Sequence, residues 1–519
     1  MFNKSDYIII PQVMTMVSEC NVELTLSHLP VNVPAFFSVR TLSFSWMVLV
    51  WIILELSFIL MLYGFLLPSL HELTPPVQYE GDIVVVVKRT LHQVHRLDNC
   101  TFRKFVEGFF NATKMEDIYV DNYKSLLAWM MYHKDLQQLS KKEHENVNQV
   151  FQYTVDLHPE ECQHLKSGYN PAVSHCRMTL EPLPVIHRPL LLYVITNLTE
   201  AMSNLLFLQW AGFQRFEVNG MKYWYKKQMH ASCGPTDTNS SNGTEPMVFL
   251  HGISTGWMPY LSLVKALGED RTMILVDVDA IKIKSLNFDM PTPVKFVENL
   301  NRILLMHRID KLSIVGHSFG SITAGWFVRY FPEKVSHLTL VDPVSLLLGL
   351  PNVAYSFLYR EPTTLMEWVI HLGAAREVTV SHTLRRHFWW YNNALWLEDI
   401  PAHIGVVVGV SSSDEIINAE AVYEYCNNCQ QHRFDLHKNT YEQMPNTSTK
   451  QHNPLLTQPR VTRSMSSSLP PTTTTTQSSS KTPVAKIETV MWDNYSHAQI
   501  LLPTETQKQF VELVHNNEK

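Results

Sequence analysis

Ser318 stands at the centre of Gly316-His317-Ser318-Phe319-Gly320, between the apolar run "LSIV" and the stretch "SITAGWFVRYF", which has helical character. G-x-S-x-G between a strand and a helix is the spacing of a nucleophile elbow. Small residues two positions either side of the serine let the backbone turn sharply and lift the hydroxyl above a sheet. A serine hydroxyl is a weak nucleophile at neutral pH. It attacks a carbonyl carbon only when a histidine takes its proton and an acid orients that histidine.

For the elbow chain order, the acid should follow a late strand and the histidine should come last. Asp414 lies in "SSSDE", just past the strand-like "IGVVVGV", and His497 lies in "YSHAQIL" near the C-terminus. They are 83 residues apart. Removing an insertion at 427–485, 59 residues, leaves 24, a reasonable strand-helix-strand interval. Asp342 in "LVDPV" also ends a strand and is an alternative acid, although Asp before Pro more often stabilises a turn. Glu415 is a possible substitute, and His403, His432 and His437 are rivals to His497. Acyl transfer further needs two backbone N–H groups aimed at the developing oxyanion. Phe319, after the nucleophile, should give one. Ile253, in "VFLHGISTGW" after the strand Val248–Leu250, should give the other, with His251 and Gly252 shaping the loop.

The elements that must hold these residues follow from periodicity. From Pro246 onward, short β-branched strands ("PMVFLHG", "TMILVDV", "LSIVG", "HLTLVDP", "IGVVVGV") alternate with helical patterns such as "KFVENLNRILLMHRI". This predicts a mostly parallel sheet with helices on both faces. Before it, "FEVNGMKYWYKK" reads as a hairpin turning at Asn219-Gly220, and 228–246 as a polar surface loop. Residues 351–400, helical and crowded with Phe388, Trp389, Trp390, Tyr391 and Trp396, read as a lid over the carboxyl ends of the strands, although any one of these aromatics is more readily a core residue. Residues 427–485, with "SMSSSLPPTTTTTQSSSKTP", read as a disordered insertion. The fold resumes at 486–519.

Upstream, Phe44–Leu67 is apolar but for Glu55, and as a helix it would reach about 36 Å, enough to cross the hydrocarbon core of a bilayer. It is expected to be a single transmembrane anchor following a tail, 1–43. It starts too late and runs too long for a cleavable signal peptide. Arg40, Lys88 and Arg89 are too few to orient it, and the sequons at Asn3, Asn99, Asn111, Asn197, Asn239, Asn242, Asn446 and Asn494 leave the side open. An endomembrane setting is expected. Residues 68–215 read as a mostly helical preceding region. Within it the apolar stretch 189–213, interrupted by polar residues, is expected to lie on the domain core or the membrane surface, core packing being favoured.

The remaining composition bounds the answer. The chain has 519 residues, 45% hydrophobic and 17% charged, with a net charge of -6, so it can bury a large core. It carries no basic run of the kind a nucleic-acid partner requires. Seven scattered cysteines define no disulfide scaffold, and the lone "CNNC" at 426–429 lacks a second ligand pair for zinc. Neither metal nor cofactor is expected. A carboxylate would be needed at position 318 for haloalkane or epoxide chemistry.

The motifs "FLHGIS", "VGHSFGS", "SSSDE" and "SHAQIL", in that order, resemble those of the α/β-hydrolase fold superfamily, of the AB hydrolase-1 type, over residues 246–515. Within it the chain is similar to a group of membrane-associated, lipase-like serine hydrolases in which the elbow is followed by "DPV" and a "YR.P" segment. The Gly-rich loop usual in the family after the second strand is absent after "ILVDVDAIKI". The resemblance implies hydrolysis of a carboxylic ester, and the apolar lid and anchor suggest a lipid-like one. A silent scaffold or lipid-binding protein, and an acyltransferase using the same residues, are the alternatives.

Overall fold

In a computed structural model the described residues are 33–209, 211–228, 244–269, 271–283, 286–442 and 485–518, with side chains from 45 onward and, in the helix ending at Glu442, as far as Arg433. The chain divides into two compact units, Met1–Leu62 and Tyr63–Lys519. The described part of the first is an apolar helix from Val33. The stretch Ser45–Leu70, helical throughout, is long and apolar enough to cross a membrane by length and composition, and so is Leu190–Gln209.

The second unit is built on one eight-stranded sheet: β1 (Gln214–Val218), β2 (Met221–Lys226), β3 (Met247–Leu250), β4 (Met273–Val276), β5 (Leu312–His317), β6 (Val335–Val341), β7 (Gly405–Ser411) and β8 (Ile487–Trp492). Their order is β1-β2-β4-β3-β5-β6-β7-β8. β3 to β8 are parallel, while the β1-β2 hairpin pairs antiparallel along the β4 edge. Asn219 and Gly220 both take positive φ, 50° and 82°, as a tight two-residue hairpin turn requires.

Strand side chains alternate between two cores. Val248, Leu250, Ile274 and Val276 enter one, and Met247, Phe249, Met273 and Leu275 the other. Burial on both faces explains the unbroken apolar runs, each fully buried Val, Leu or Ile contributing roughly 1.5–3 kcal/mol. From β3 the chain moves outward to β4, then returns across β3 to β5. The loops after β3 and β5 therefore diverge and open a crevice at the carboxyl ends of the strands.

Four expectations change. The region 68–215 is helical but is no separate preceding body. Val87, Phe105, Leu126 and Trp129 share the first core with β3, β5 and the helix Gly320–Tyr330. Within 351–400, residues 378–397 are mostly buried and fixed: Trp390 Nε1 donates to Met130 O (2.8 Å) and Arg386 donates to Glu181 O (2.9 Å). Phe388, Trp389, Trp390, Tyr391 and Trp396 are core, and only the part up to about 377 is a cover. Residues 427–442, expected to be disordered, continue the helix Ala419–Glu442. Cys426 and Cys429 are buried there, and Arg433 donates to the Ile400 (2.8 Å) and Ile404 (3.2 Å) carbonyls. Residues 443–484 lie outside the described residues. Finally, Leu190–Gln209 does not pack into the core as favoured, because most of its apolar side chains are exposed.

Candidate active site

Ser318 follows β5 with φ of 51°, a left-handed conformation unfavourable for any residue with a β-carbon, and its N–H donates to Val341 O (2.9 Å). The turn closes because its flanks are glycine. A β-carbon on Gly320 would lie 2.0 Å from Leu250 O, and one on Gly316 would lie 2.7 Å from Gly320 O.

His497 lies between Ser318 and Asp414, its Nε2 at 2.9 Å from Ser318 Oγ and its Nδ1 at 2.6 Å from Asp414 Oδ2. The loops after β7 and β8 bring the two together despite their sequence separation. Asp414 is aimed by its other oxygen, since the Ile416 and Ile417 N–H groups donate to Oδ1 (2.7 and 3.0 Å). The His497 N–H donates to Glu415 Oε2 (3.0 Å), so Glu415 steadies the histidine backbone. Burial alone would lower the His497 pKa, but the Asp414 carboxylate, with Asp342 and Glu415 behind it, raises it to about 9.

Asp342, the alternative acid, sits at the end of β6 beneath this pair. Its Oδ1 accepts from Ser411 N–H (2.8 Å) and its Oδ2 from Ser411 Oγ (3.1 Å) and Ala498 N–H (2.9 Å). It therefore braces the start of the loop that carries Asp414 and the residue after His497, and makes no hydrogen bond to the imidazole. Burial, then the Asp414 charge, pushes its pKa up to about 6. Asp342, Asp414 and His497 offer ligand atoms within 4.8 Å of one another. N–H and O–H donors already occupy both oxygens of Asp342 and Oδ1 of Asp414, which leaves little capacity for holding a cation.

The loop after β3 faces the elbow. Val278 N–H donates to His251 Nε2 (3.1 Å), which puts the ring proton on Nδ1, donating to Gly252 O (2.7 Å). Burial, helped by the Lys282 charge, lowers the His251 pKa to about 4 and keeps the ring neutral. Gly252 N–H donates to Tyr260 Oη (2.8 Å), which also pairs with His317 Nδ1 (3.0 Å). The Ile253 and Phe319 N–H groups donate to no acceptor among the described residues. Both residues line the same pocket as Ser318, about 440 Å³, whose other walls include Met178, Val353, Phe357 and Leu384. Where a Gly-rich loop was missed after β4, a buried ion cluster stands instead. Lys282 Nζ meets Asp277 (2.6 Å), Glu200 (3.3 Å) and Asp279 (3.7 Å), and Ser254 bridges to Lys282.

All nine residues singled out from the sequence, Ser318, Asp414, His497, Ile253, Phe319, His251, Gly252, Gly316 and Gly320, thus lie in or directly behind one crevice. His403 bonds Pro332 O away from it, and His432 is exposed on the Ala419–Glu442 helix. The side chain of His437 lies outside those described. Tyr260, Met178 and the pocket residues of 351–384 were not foreseen. Nothing in their local sequence marks them, because they matter only through the tertiary crevice.

A profile of the α/β hydrolase fold matches residues 245–404, a stretch that contains the elbow and stops short of Asp414. Human "Serine hydrolase-like protein" is 26% identical over 144 residues, 27% of this chain and 70% of that protein. Human "1-acylglycerol-3-phosphate O-acyltransferase ABHD5" is 28% identical over 188 residues, 35% of this chain and 50% of that protein. The chain thus spans only about half the length of the latter. Among solved structures, a membrane phospholipase A described as a bacterial virulence factor aligns with a TM-score of 0.39 at 11% identity, covering 63% of this chain and 94% of that one. The sheet order, the strand-turn-helix serine and the matched profile together show an α/β-hydrolase fold.

Proposed function

We propose that the protein is a membrane-anchored serine hydrolase that cleaves a carboxylic ester of an apolar, lipid-like acyl group. Ser318 Oγ attacks the carbonyl carbon as His497 Nε2 takes its proton, while Asp414 orients the imidazole and stabilises its charge. The Ile253 and Phe319 N–H groups receive the oxyanion. Collapse expels the alcohol, which takes the proton from His497 and leaves an acyl-Ser318 ester. A water deprotonated by His497 then releases the free acid. The supporting observation is the seating of His497, within hydrogen-bond reach of both Ser318 and Asp414. The apolar pocket beside Ser318 favours an acyl chain. The helix Ser45–Leu70 is the proposed anchor.

The purified protein in detergent should release fatty acid from a long-chain acylglycerol, and Ser318→Ala should not. Release by both would refute the mechanism. The name of the ABHD5 relatives motivates a second reading, in which an alcohol replaces water in the deacylation step. Adding 1-acylglycerol-3-phosphate decides between them: a diacylated product at the expense of free acid favours transfer.

A further inference from the structure

The helix Leu190–Gln209 is inside-out. Tyr193, Glu200 and Ser203 are buried on its protein side, whereas Leu192, Ile195, Leu198, Met202, Leu205 and Leu206 point outward, Leu198 and Leu205 with 59% and 58% of their surface exposed. The inward side carries bonds as well as burial. Glu200 meets Lys282 Nζ (3.3 Å), and the Tyr193 hydroxyl donates to Glu377 (3.1 Å). Buried Leu208 extends the inward stripe to the far end, so the helix lies along the globular unit over its whole length. A carboxylate and an ammonium buried together on that side hold it there, since separating them would strand a charge.

The cover continues this apolar side. Leu365, Trp368, Val369 and Leu372 are exposed, at 72% for Leu365 and 47% for Trp368. Arg188 donates to Leu372 O (2.5 Å) and Ile186 N–H to Arg376 O (3.1 Å), which ties the cover to the start of the helix. An apolar surface this continuous is not left in water without a use.

We propose that Leu190–Gln209 does not cross the membrane but lies in its surface, outward side chains among the acyl chains, and that with Leu365–Leu372 it forms a lipid-facing rim through which substrate enters from the bilayer. Two observations favour a bilayer over a protein partner. At about 100° per residue the exposed apolar side chains span roughly half the helix circumference, interrupted by Asn197 and Thr199, which is wider than the single stripe that a partner helix would cover. Within the same unit the half-exposed Tyr63 ring meets His187 (5.9 Å between centroids), just ahead of Leu190, so a further apolar segment with exposed Phe65 adjoins the start of the helix. The inference rests on the membrane-anchored reading above.

The test uses the full-length chain in liposomes, with single spin-labelled cysteines at Ile195, Leu198 and Leu206 read against the unsubstituted chain. Exposed flanking positions Pro182 and Glu217 receive cysteines for an impermeant maleimide. The outward labels should relax several-fold more with oxygen than with a water-soluble nickel chelate, at depths of about 5–10 Å, and both flanks should react from the same side. Flanks reacting from opposite sides, nickel access at the outward labels, or cross-linking of Leu198→Cys to a second copy would each overturn the proposal. Retention of the chain in alkali-washed membranes reads the anchor, and fluorophosphonate labelling of Ser318 reads the hydrolase, so either can fail without the other.

Discussion

A β-carbon on Gly252 would lie 2.8 Å from the Ser318 β-carbon and 3.0 Å from His317 Nδ1. The loop after β3 and the elbow after β5 therefore touch with no room for a methyl group, which is how the Ile253 and Phe319 amides come to line one pocket with the hydroxyl. Gly252→Ala should push these loops apart. We expect kcat/KM for an ester to fall by about 10²–10³, the size of losing an oxyanion donor. Circular dichroism should show the fold retained, and undiminished activity would contradict the role given to this loop.

The pH dependence follows from His497. Burial disfavours its charged form, but the Asp414 carboxylate outweighs that and sets the pKa at about 9. Only the neutral imidazole can take the Ser318 proton, so acylation should accelerate as pH rises toward about 9. Asp414→Asn should move that midpoint to lower pH and reduce kcat by roughly 10⁴-fold. The sign for stability is opposite. The folded pKa lies above the unfolded value of about 6.5, so the stabilisation is fully present below about 6.5 and is lost as pH rises through about 9. Urea titrations at pH 6 and pH 9 measure this.

Ser318 holds its left-handed backbone against a steric cost of about 1–2 kcal/mol. Ser318→Gly should relieve it, giving a protein without activity whose stability rises by about 1 kcal/mol. Ser318→Ala keeps the β-carbon and should show no such gain. Thermal melts of the three proteins compare them directly, and equal melting for glycine and alanine would mean that the elbow is unstrained.

Val353 and Phe357, from the helix Pro351–Leu358, line the pocket beside Ser318. Val353→Trp should fill that space and shift preference from long to short p-nitrophenyl esters by about tenfold, since each methylene excluded from an apolar site loses about 0.8 kcal/mol. An unchanged chain-length profile would place the acyl group elsewhere.

The strands and the residues proposed for catalysis were legible in the sequence because each rests on a local rule. Small residues bracket Ser318, Asp414 follows an unbroken apolar strand, and His497 follows the next one in an ordered stretch. Other features depend on what lies opposite. Leu190–Gln209 has helical character, but which side is buried was set by Lys282 and Glu377, far away in sequence. The helix starting at Ala419 runs past 426 because Arg433 finds the carbonyls of Ile400 and Ile404, a pairing no composition window reveals. Asp342 looked like a rival to Asp414. Its position on β6, between the strands that lead to Ser318 and Asp414, makes it the brace beneath them.

If Ser318 is an activated nucleophile, it reacts covalently with a fluorophosphonate. Membranes carrying the wild type, Ser318→Ala and His497→Ala should be treated with a fluorescent fluorophosphonate and resolved by electrophoresis. The wild type should give a labelled band, Ser318→Ala none, and His497→Ala one weaker by orders of magnitude. Folded wild-type protein that takes no label, or label that survives loss of Ser318, would contradict activation of Ser318.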